Sequence, residues 1–193
     1  MSGVMANAVT SVGGVASVNF VPNCSRLLPR WQVLSSLRSD CRASTRRIDL
    51  LVLHCSDTRP SQNYTLERLL RDHRARGFGT WPGYHIYVRR DGTMYYCRPI
   101  QEKGCHVSGF NANSIGVCYE GGHREDAIPG HKYEDNRTAE QMVVLHEVFT
   151  LLHECYPEAR IVGHNELPGV AKQCPCLQPA ASVEYSYILE MKQ

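Results

Sequence analysis

The sequence lacks any run of about 18 consecutive apolar residues, the length that a membrane-spanning helix needs. Residues 1–20 also lack a basic segment and a compact leucine-rich stretch, so they make a poor secretory signal peptide. Internal repeats are absent, and a net charge of +2 indicates no particular partner. What remains is a chain of 193 residues with 42% hydrophobic content, which suits one domain with a hydrophobic core.

The first quarter of the chain differs in composition from the rest. Residues 1–47 carry six arginines against one acid, Asp40. Small residues, prolines and the absence of a sustained period predict a basic, disordered leader over residues 1–46 and a folded domain over 47–193. Within this leader, a short helix around Trp31–Leu37 is left open. A basic leader suits contact with an anionic surface such as a cell wall or nucleic acid. A regulatory protein that binds a polymerase or a nucleic acid is supported by nothing except this charge skew. We therefore expect a solvated leader and no specific nucleic-acid partner.

Cysteine is abundant but shows no disulfide pattern. The count of nine is odd, and Cys55, Cys97 and Cys118 lie inside apolar runs that predict strands. A free thiol in such a position behaves as a small buried hydrophobic group. We therefore expect mostly unpaired thiols and folding in a reducing compartment.

Hydrophobic periodicity predicts an α/β fold with a central mixed sheet flanked by helices. Two capping residues, Thr65 and Thr138, mark helix starts, and Asp91-Gly92 marks a hairpin. The predicted strands cover residues 48–54, 84–88, 93–97, 114–120 and 160–163, and the predicted helices begin at 65, 138 and 183.

Three side chains suited to a soft metal ion stand at the ends of such segments. His54 and His164 each close an apolar run, and Cys174 follows His164 by ten residues. Two imidazoles and one thiolate give three zinc ligands and leave a fourth position open, as in catalytic zinc sites. Each histidine taken alone is more often a satisfied core residue. Cys176 is the competing sulfur ligand, and Cys174 is favoured because Lys172 lies two residues before it.

Two further residues have the chemistry to assist a metal-bound reaction. Lys172 offers a positive charge and Tyr84 a phenolic donor to a developing oxyanion. Taken singly, Lys172 is better explained as a solvated surface lysine and Tyr84 as a half-buried strand aromatic.

Together these residues match a known family. The chain resembles the zinc-dependent N-acetylmuramoyl-L-alanine amidases that include the phage lysozyme-type enzymes, a fold shared by the peptidoglycan recognition proteins. The matching segments, which span roughly residues 47–190 in the family's order, are 52–56, 83–93, 106–111, 113–118, 163–166 and 172–175.

The resemblance implies one Zn²⁺ held by His54, His164 and Cys174, with Tyr84 and Lys172 as catalytic residues. It also implies a groove for the peptidoglycan stem peptide, lined by His106, Asn111 and Asn113. The chain departs from the compact phage form in its leader, a longer loop between His164 and Cys174, and the extra Cys176.

The expected function is hydrolysis of the amide between the lactyl group of N-acetylmuramic acid and L-alanine. Zinc would polarise this carbonyl and lower the pKa of a bound water toward about 7, and Glu166 is a lower-ranked proton carrier. The alternative is a module that binds peptidoglycan without cutting it, and Cys174 favours the enzyme because the resembling non-catalytic proteins lack that sulfur. We expect a monomer made in the cytoplasm that acts on the cell wall.

Overall fold

The fold is known from a computed structural model, which describes residues 27–126 and 129–177. Its helices and strands, in chain order, are α1 (Arg30–Ala43), β1 (Leu50–Cys55), α2 (Leu66–Ala75), β2 (Ile86–Val88), β3 (Met94–Tyr96), β4 (Ser114–Tyr119), α3 (Ala139–Cys155) and β5 (Arg160–Gly163). Three short 3₁₀ turns lie at Pro60–Gln62, Asn111–Asn113 and His164–Glu166. Among the described residues, no helix has both the length and the apolar character to cross a membrane.

A five-stranded sheet in the order β3-β2-β4-β1-β5 forms the centre of the molecule. β1 pairs in parallel with both β4 and β5, and β2 pairs in parallel with β4, whereas β2 and β3 form an antiparallel hairpin. The predicted mixed sheet flanked by helices is therefore confirmed. β1 and β4 are buried along their whole length, as expected for central strands covered on both faces.

Alternation along the strands divides the core into two layers. Leu51 and Leu53 of β1 pack with helices α1 and α3 in the larger layer. Leu50 and Val52 point to the other face, where Val107 and Val162 complete a smaller cluster. His54 shares this second face, so the end of β1 delivers its imidazole to the side of the sheet opposite α1 and α3.

Both predicted helix caps are present. Thr65 accepts a hydrogen bond from the Arg68 backbone N–H at the start of α2. Thr138 and Gln141 exchange hydrogen bonds in a capping box at the start of α3. Helical spacing also predicts that Met142, Leu145, Phe149, Leu152 and Cys155 face the core. The structure buries Leu145, Phe149 and Leu152, whereas Met142 is 37% exposed. The predicted closing helix at 183–191 lies outside the described residues.

The predicted disordered leader is wrong for residues 30–43. These residues form α1, which buries Val33, Leu37 and Cys41 in the core layer shared with α3. The leader prediction followed from scattered arginines and proline, but burial of this apolar stripe stabilises the helix through tertiary packing. Part of the predicted leader therefore belongs to the folded domain.

Arg46, at the predicted end of the leader, is also integrated into the fold. Its guanidinium donates hydrogen bonds to the carbonyls of Ile100 at 2.6 Å and Ser114 at 2.9 Å, and to those of Glu102, Asn111 and Ala112. One partly buried cation thus satisfies carbonyl groups on both ends of the segment that carries His106.

Candidate metal centre and active site

The three predicted ligands lie together. The donor atoms of His54, His164 and Cys174 all lie within 4.8 Å of one another. Cys174 Sγ is 3.7 Å from His54 Nδ1, and the rings of His54 and His164 have centroids 4.5 Å apart. The parallel pairing of β1 with β5 explains the imidazole pair, because Leu53 lies opposite Gly163 and the two histidines follow directly.

Backbone contacts hold Cys174 against this strand end. The Cys55 N–H donates to Cys174 Sγ at 3.3 Å, and the Asn165 N–H donates to the Cys174 carbonyl at 2.8 Å. The loop is thereby attached both to β1 and to the turn that carries His164. Cys176, the competing sulfur, lies 3.3 Å from Cys55 Sγ instead.

Burial keeps the imidazoles of this cluster uncharged. Burial, followed by the positive charges of His106, His164 and Lys172, lowers the pKa of His54 well below 6.5. Burial and then the charge of Lys172 lower the pKa of His164 to about 4. Neutral imidazoles are the form that binds a metal ion. Burial raises the pKa of the Cys174 thiol, so its ionisation needs a nearby cation.

Tyr84 and Lys172 both lie near the cluster. The Tyr84 ring centroid is 5.1 Å from that of His54. Burial, and then the negative charges of Cys118, Cys174 and Cys55, raise the pKa of the phenol, so it keeps its proton as a donor. Lys172 is exposed, and its charge is close enough to lower the pKa of both metal-competent histidines.

His106 directly contacts the group formed by His54, His164 and Cys174, which we call the metal-competent cluster. Its Nδ1 is 3.0 Å from His54 Nε2, and its Nε2 is 3.3 Å from Ser114 Oγ. The Ser114 hydroxyl itself donates to the Phe110 carbonyl at 2.8 Å. Because that proton is committed to a carbonyl, Ser114 accepts from His106 Nε2–H, and His106 Nδ1 then accepts from His54 Nε2–H. This order leaves the lone pair of His54 Nδ1 directed at Cys174.

The remaining predicted site residues are engaged by the scaffold. Asn111 Oδ1 accepts from the backbone N–H groups of His106 and Val107, both at 2.9 Å, and Asn113 Nδ2 donates to Asp49. Glu166 accepts from the Gly163 N–H at 2.7 Å and so caps its own turn. Asn111 therefore fixes the backbone on which His106 is presented.

Sequence reasoning missed Ser114, Gly104 and Gly116. A Cβ atom at Gly116 would lie 2.7 Å from His106 Cγ, and one at Gly104 would lie 2.4 Å from its Cδ2. The imidazole thus occupies space that both glycines leave free. A glycine inside a strand such as β4 is a recognised signal of close approach, but the sequence does not say which group approaches.

Comparisons with known proteins identify the family and the fold. A family model described as N-acetylmuramoyl-L-alanine amidase matches residues 44–177. The endolysin of Escherichia phage T7 is 35% identical over 127 residues, which are 66% of this chain and 80% of the endolysin. The solved structure of the endolysin amidase LysCS of Clostridium intestinale URNW is 26% identical with a TM-score of 0.59, covering 76% of this chain and 86% of that one. Bumblebee PGRP-SA shares the fold at 18% identity and a TM-score of 0.57, covering 76% and 85%.

Proposed function

The chain belongs to the N-acetylmuramoyl-L-alanine amidase family, and from this premise we propose that it is a zinc-dependent hydrolase of the bond between the muramoyl lactyl group and L-alanine in peptidoglycan. That it is an N-acetylmuramoyl-L-alanine amidase follows from the family and its endolysin relatives. The observation that carries the zinc dependence is the convergence of His54, His164 and Cys174 within 4.8 Å.

The donor set fits zinc. Two imidazole nitrogens and one sulfur are ligands that Zn²⁺ prefers, and three protein ligands leave one tetrahedral position for water or substrate. His54 would bind through Nδ1, since its Nε2 is hydrogen-bonded to His106. A bound zinc ion supplies Lewis-acid chemistry, which polarises a carbonyl and makes water more acidic.

Tyr84 and Lys172 are the proposed catalytic groups beside this centre. The protonated Tyr84 phenol donates a hydrogen bond to the carbonyl oxygen as it gains negative charge, and the Lys172 ammonium stabilises the same charge from the solvent side. Hydrolysis adds the hydroxyl of water to the carbonyl carbon and a proton to the departing L-alanine nitrogen. One of these two residues transfers that proton.

The role in the cell is proposed from the relatives. The T7 protein is named an endolysin, which supports action on the bacterial cell wall after synthesis in the cytoplasm. The alternative, peptidoglycan binding without cleavage, draws on the fold shared with PGRP-SA. We favour the enzyme because Cys174 completes a three-ligand site. Monomeric state stays a prediction.

Turnover of purified peptidoglycan tests the proposal. We expect release of peptides with a free L-alanine amino terminus, loss of that release with a chelator, and recovery with added Zn²⁺. Cys174→Ser should lose zinc and activity together, whereas the matched variant Cys176→Ser should keep both. Binding to peptidoglycan without release of peptides would support the alternative function, and full zinc content in Cys174→Ser would refute the ligand set.

A further inference from the structure

A pair of cysteine sulfurs lies behind the metal-competent cluster, on the other face of the sheet. The Sγ atoms of Cys55 and Cys176 are 3.3 Å apart. Both residues are free cysteines, and their exposed fractions are only 3% and 4%. An S–S bond is about 2.0 Å long, so the two sulfurs must approach by about a further 1.3 Å to form one.

The strand and the loop place the two sulfurs together for separate reasons. Cys55 follows His54 on β1, so its side chain points to the opposite face, toward the layer shared with α3. Cys176 has a φ of +67°, which is uncommon for a residue with a side chain. That backbone turn separates its sulfur from Cys174, which faces His54.

Gly122 leaves the space that the pair occupies. A Cβ atom at this position would lie 2.6 Å from Cys55 Sγ and 3.2 Å from Cys176 Sγ. No larger residue fits over the two thiols without displacing one of them. Gly122 therefore lets its backbone lie directly against the two sulfurs.

We propose that Cys55 and Cys176 form a reversible disulfide when a disulfide oxidant of the glutathione class is present. One cysteine sulfur attacks glutathione disulfide and releases one glutathione thiol, and the other cysteine then displaces the second. The protein loses two protons and two electrons to form one S–S bond, and glutathione disulfide takes up both to become two thiols. Because both sulfurs are buried, exchange proceeds more slowly than at an exposed cysteine.

This bond fastens the loop that carries Cys174 to β1 without using Cys174 itself. Residues 55 and 176 are 121 positions apart, so the crosslink restricts the unfolded chain over a long loop. It is expected to raise the melting temperature by roughly 5–15 °C for a domain of this size. The proposed disulfide does not depend on the proposed amidase activity. It is tested through the crosslink and the melting temperature, and neither measurement needs substrate.

Peptide mapping of the full chain tests the proposal. The protein is incubated with glutathione disulfide, its free thiols are alkylated in denaturant, and it is digested with trypsin. Arg59 precedes proline, so Cys55 lies in a peptide of residues 48–68, and Cys174 and Cys176 share one of residues 173–192. We expect these two peptides to be linked, and melting to shift back when dithiothreitol is added.

Variants decide which sulfur is bound. The link should disappear in Cys176→Ser and persist in Cys174→Ser and in Cys97→Ala, which removes a buried thiol elsewhere. If Cys176→Ser does not fold, fragmentation of the wild-type peptide between Cys174 and Cys176 gives the same answer. Absence of the link, or a link from Cys55 to Cys174, would overturn the proposal.

Discussion

At the scale of single residues, the orientation of His54 depends on the hydrogen bond between its Nε2 and His106 Nδ1. The Phe110 carbonyl accepts from the Ser114 hydroxyl, and this bond fixes the donor and acceptor in each hydrogen bond from Ser114 through His106 to His54. Partners of this kind hold a ligand ring in one tautomer and typically contribute 10- to 100-fold to metal affinity. We therefore propose that His106 positions His54, and its contact with substrate stays a prediction.

His106→Ala should weaken zinc affinity by roughly 10- to 100-fold, because His54 loses the partner that orients its ring. Ser114→Ala should weaken it in the same direction but less. The measurement is competition with a chromophoric chelator, which needs no substrate. Ser108→Ala, at an exposed position nearby, serves as control. Unchanged affinity in both variants would mean that His106 only fills space.

Tyr84→Phe tests the proposed oxyanion donor. The phenyl ring retains the packing against His54 but has no hydroxyl, so kcat should fall roughly 100- to 1000-fold. Zinc content should stay at the wild-type level, since Tyr84 is not a proposed ligand. Tyr95→Phe, which alters a tyrosine of β3, should leave kcat unchanged. A Tyr84→Phe enzyme with wild-type kcat would exclude the phenol from catalysis.

At the scale of helices and strands, α1 extends the folded unit beyond the part matched by the family model. That match begins at residue 44, whereas α1 covers Arg30–Ala43 and packs on α3. An ion pair between Arg38 and Glu154, with N and O atoms 2.7 Å apart, lies along the same contact. Since exposed pairs contribute little, the buried apolar side chains of α1 carry the interaction.

Leu37→Ala should destabilise the protein by about 2–5 kcal/mol, because Leu37 is fully buried in the layer shared with α3. The free energy of unfolding in urea measures the change. Gln32→Ala, on the exposed side of the same helix, should change it by less than about 0.5 kcal/mol. Equal stability of Leu37→Ala and the wild type would show that α1 is dispensable for the fold.

The sequence predicts these elements unevenly, for physical reasons. Thr65, Thr138 and Asp91-Gly92 act through neighbouring backbone, so both caps and the hairpin could be predicted and are present. The contact of His106 with Ser114 and Gly116 depends on how a loop returns to β4. Nothing local encodes that return. For the same reason, packing on α3 was not visible in the sequence of α1.

At the scale of the whole molecule, the site and its surroundings hold an unusual set of buried imidazoles. Besides the metal-competent pair, both His73 and His85 are buried, and His106 is half-buried. Burial, and then the charge of Arg76, lower the pKa of His73 to about 4. Burial, and then the charge of Arg46, lower that of His85 to about 3. Acid therefore acts on the fold through groups that do not take part in the proposed reaction.

Stability should fall as the pH drops from about 6.5 toward 4. In this window the unfolded chain, with histidine pKa values near 6.5, binds protons that the folded protein excludes, so protonation favours unfolding. Each of the two histidines should contribute about 2 kcal/mol between pH 7 and pH 5. Urea unfolding with a chelator present, which removes the effect of metal release, measures the change.

His73→Gln should reduce this pH dependence, since the side chain no longer titrates there. The exposed His131 provides the matched control, and His131→Gln should leave the dependence unchanged. Equal unfolding free energies for the wild type at pH 7 and pH 5 would contradict the expectation.

Because successive side chains of β1 point to opposite faces, the chemistry of this protein depends on strand register. His54 lies opposite Cys118 and Cys55 opposite Tyr119 in the pairing with β4. A slip of one residue would place Leu53 or Cys55, according to its direction, beside His164 and turn His54 into the apolar layer. Pairing with β4 on one side and β5 on the other resists such a slip. A one-residue insertion in β1 should therefore abolish metal binding even where the domain still folds.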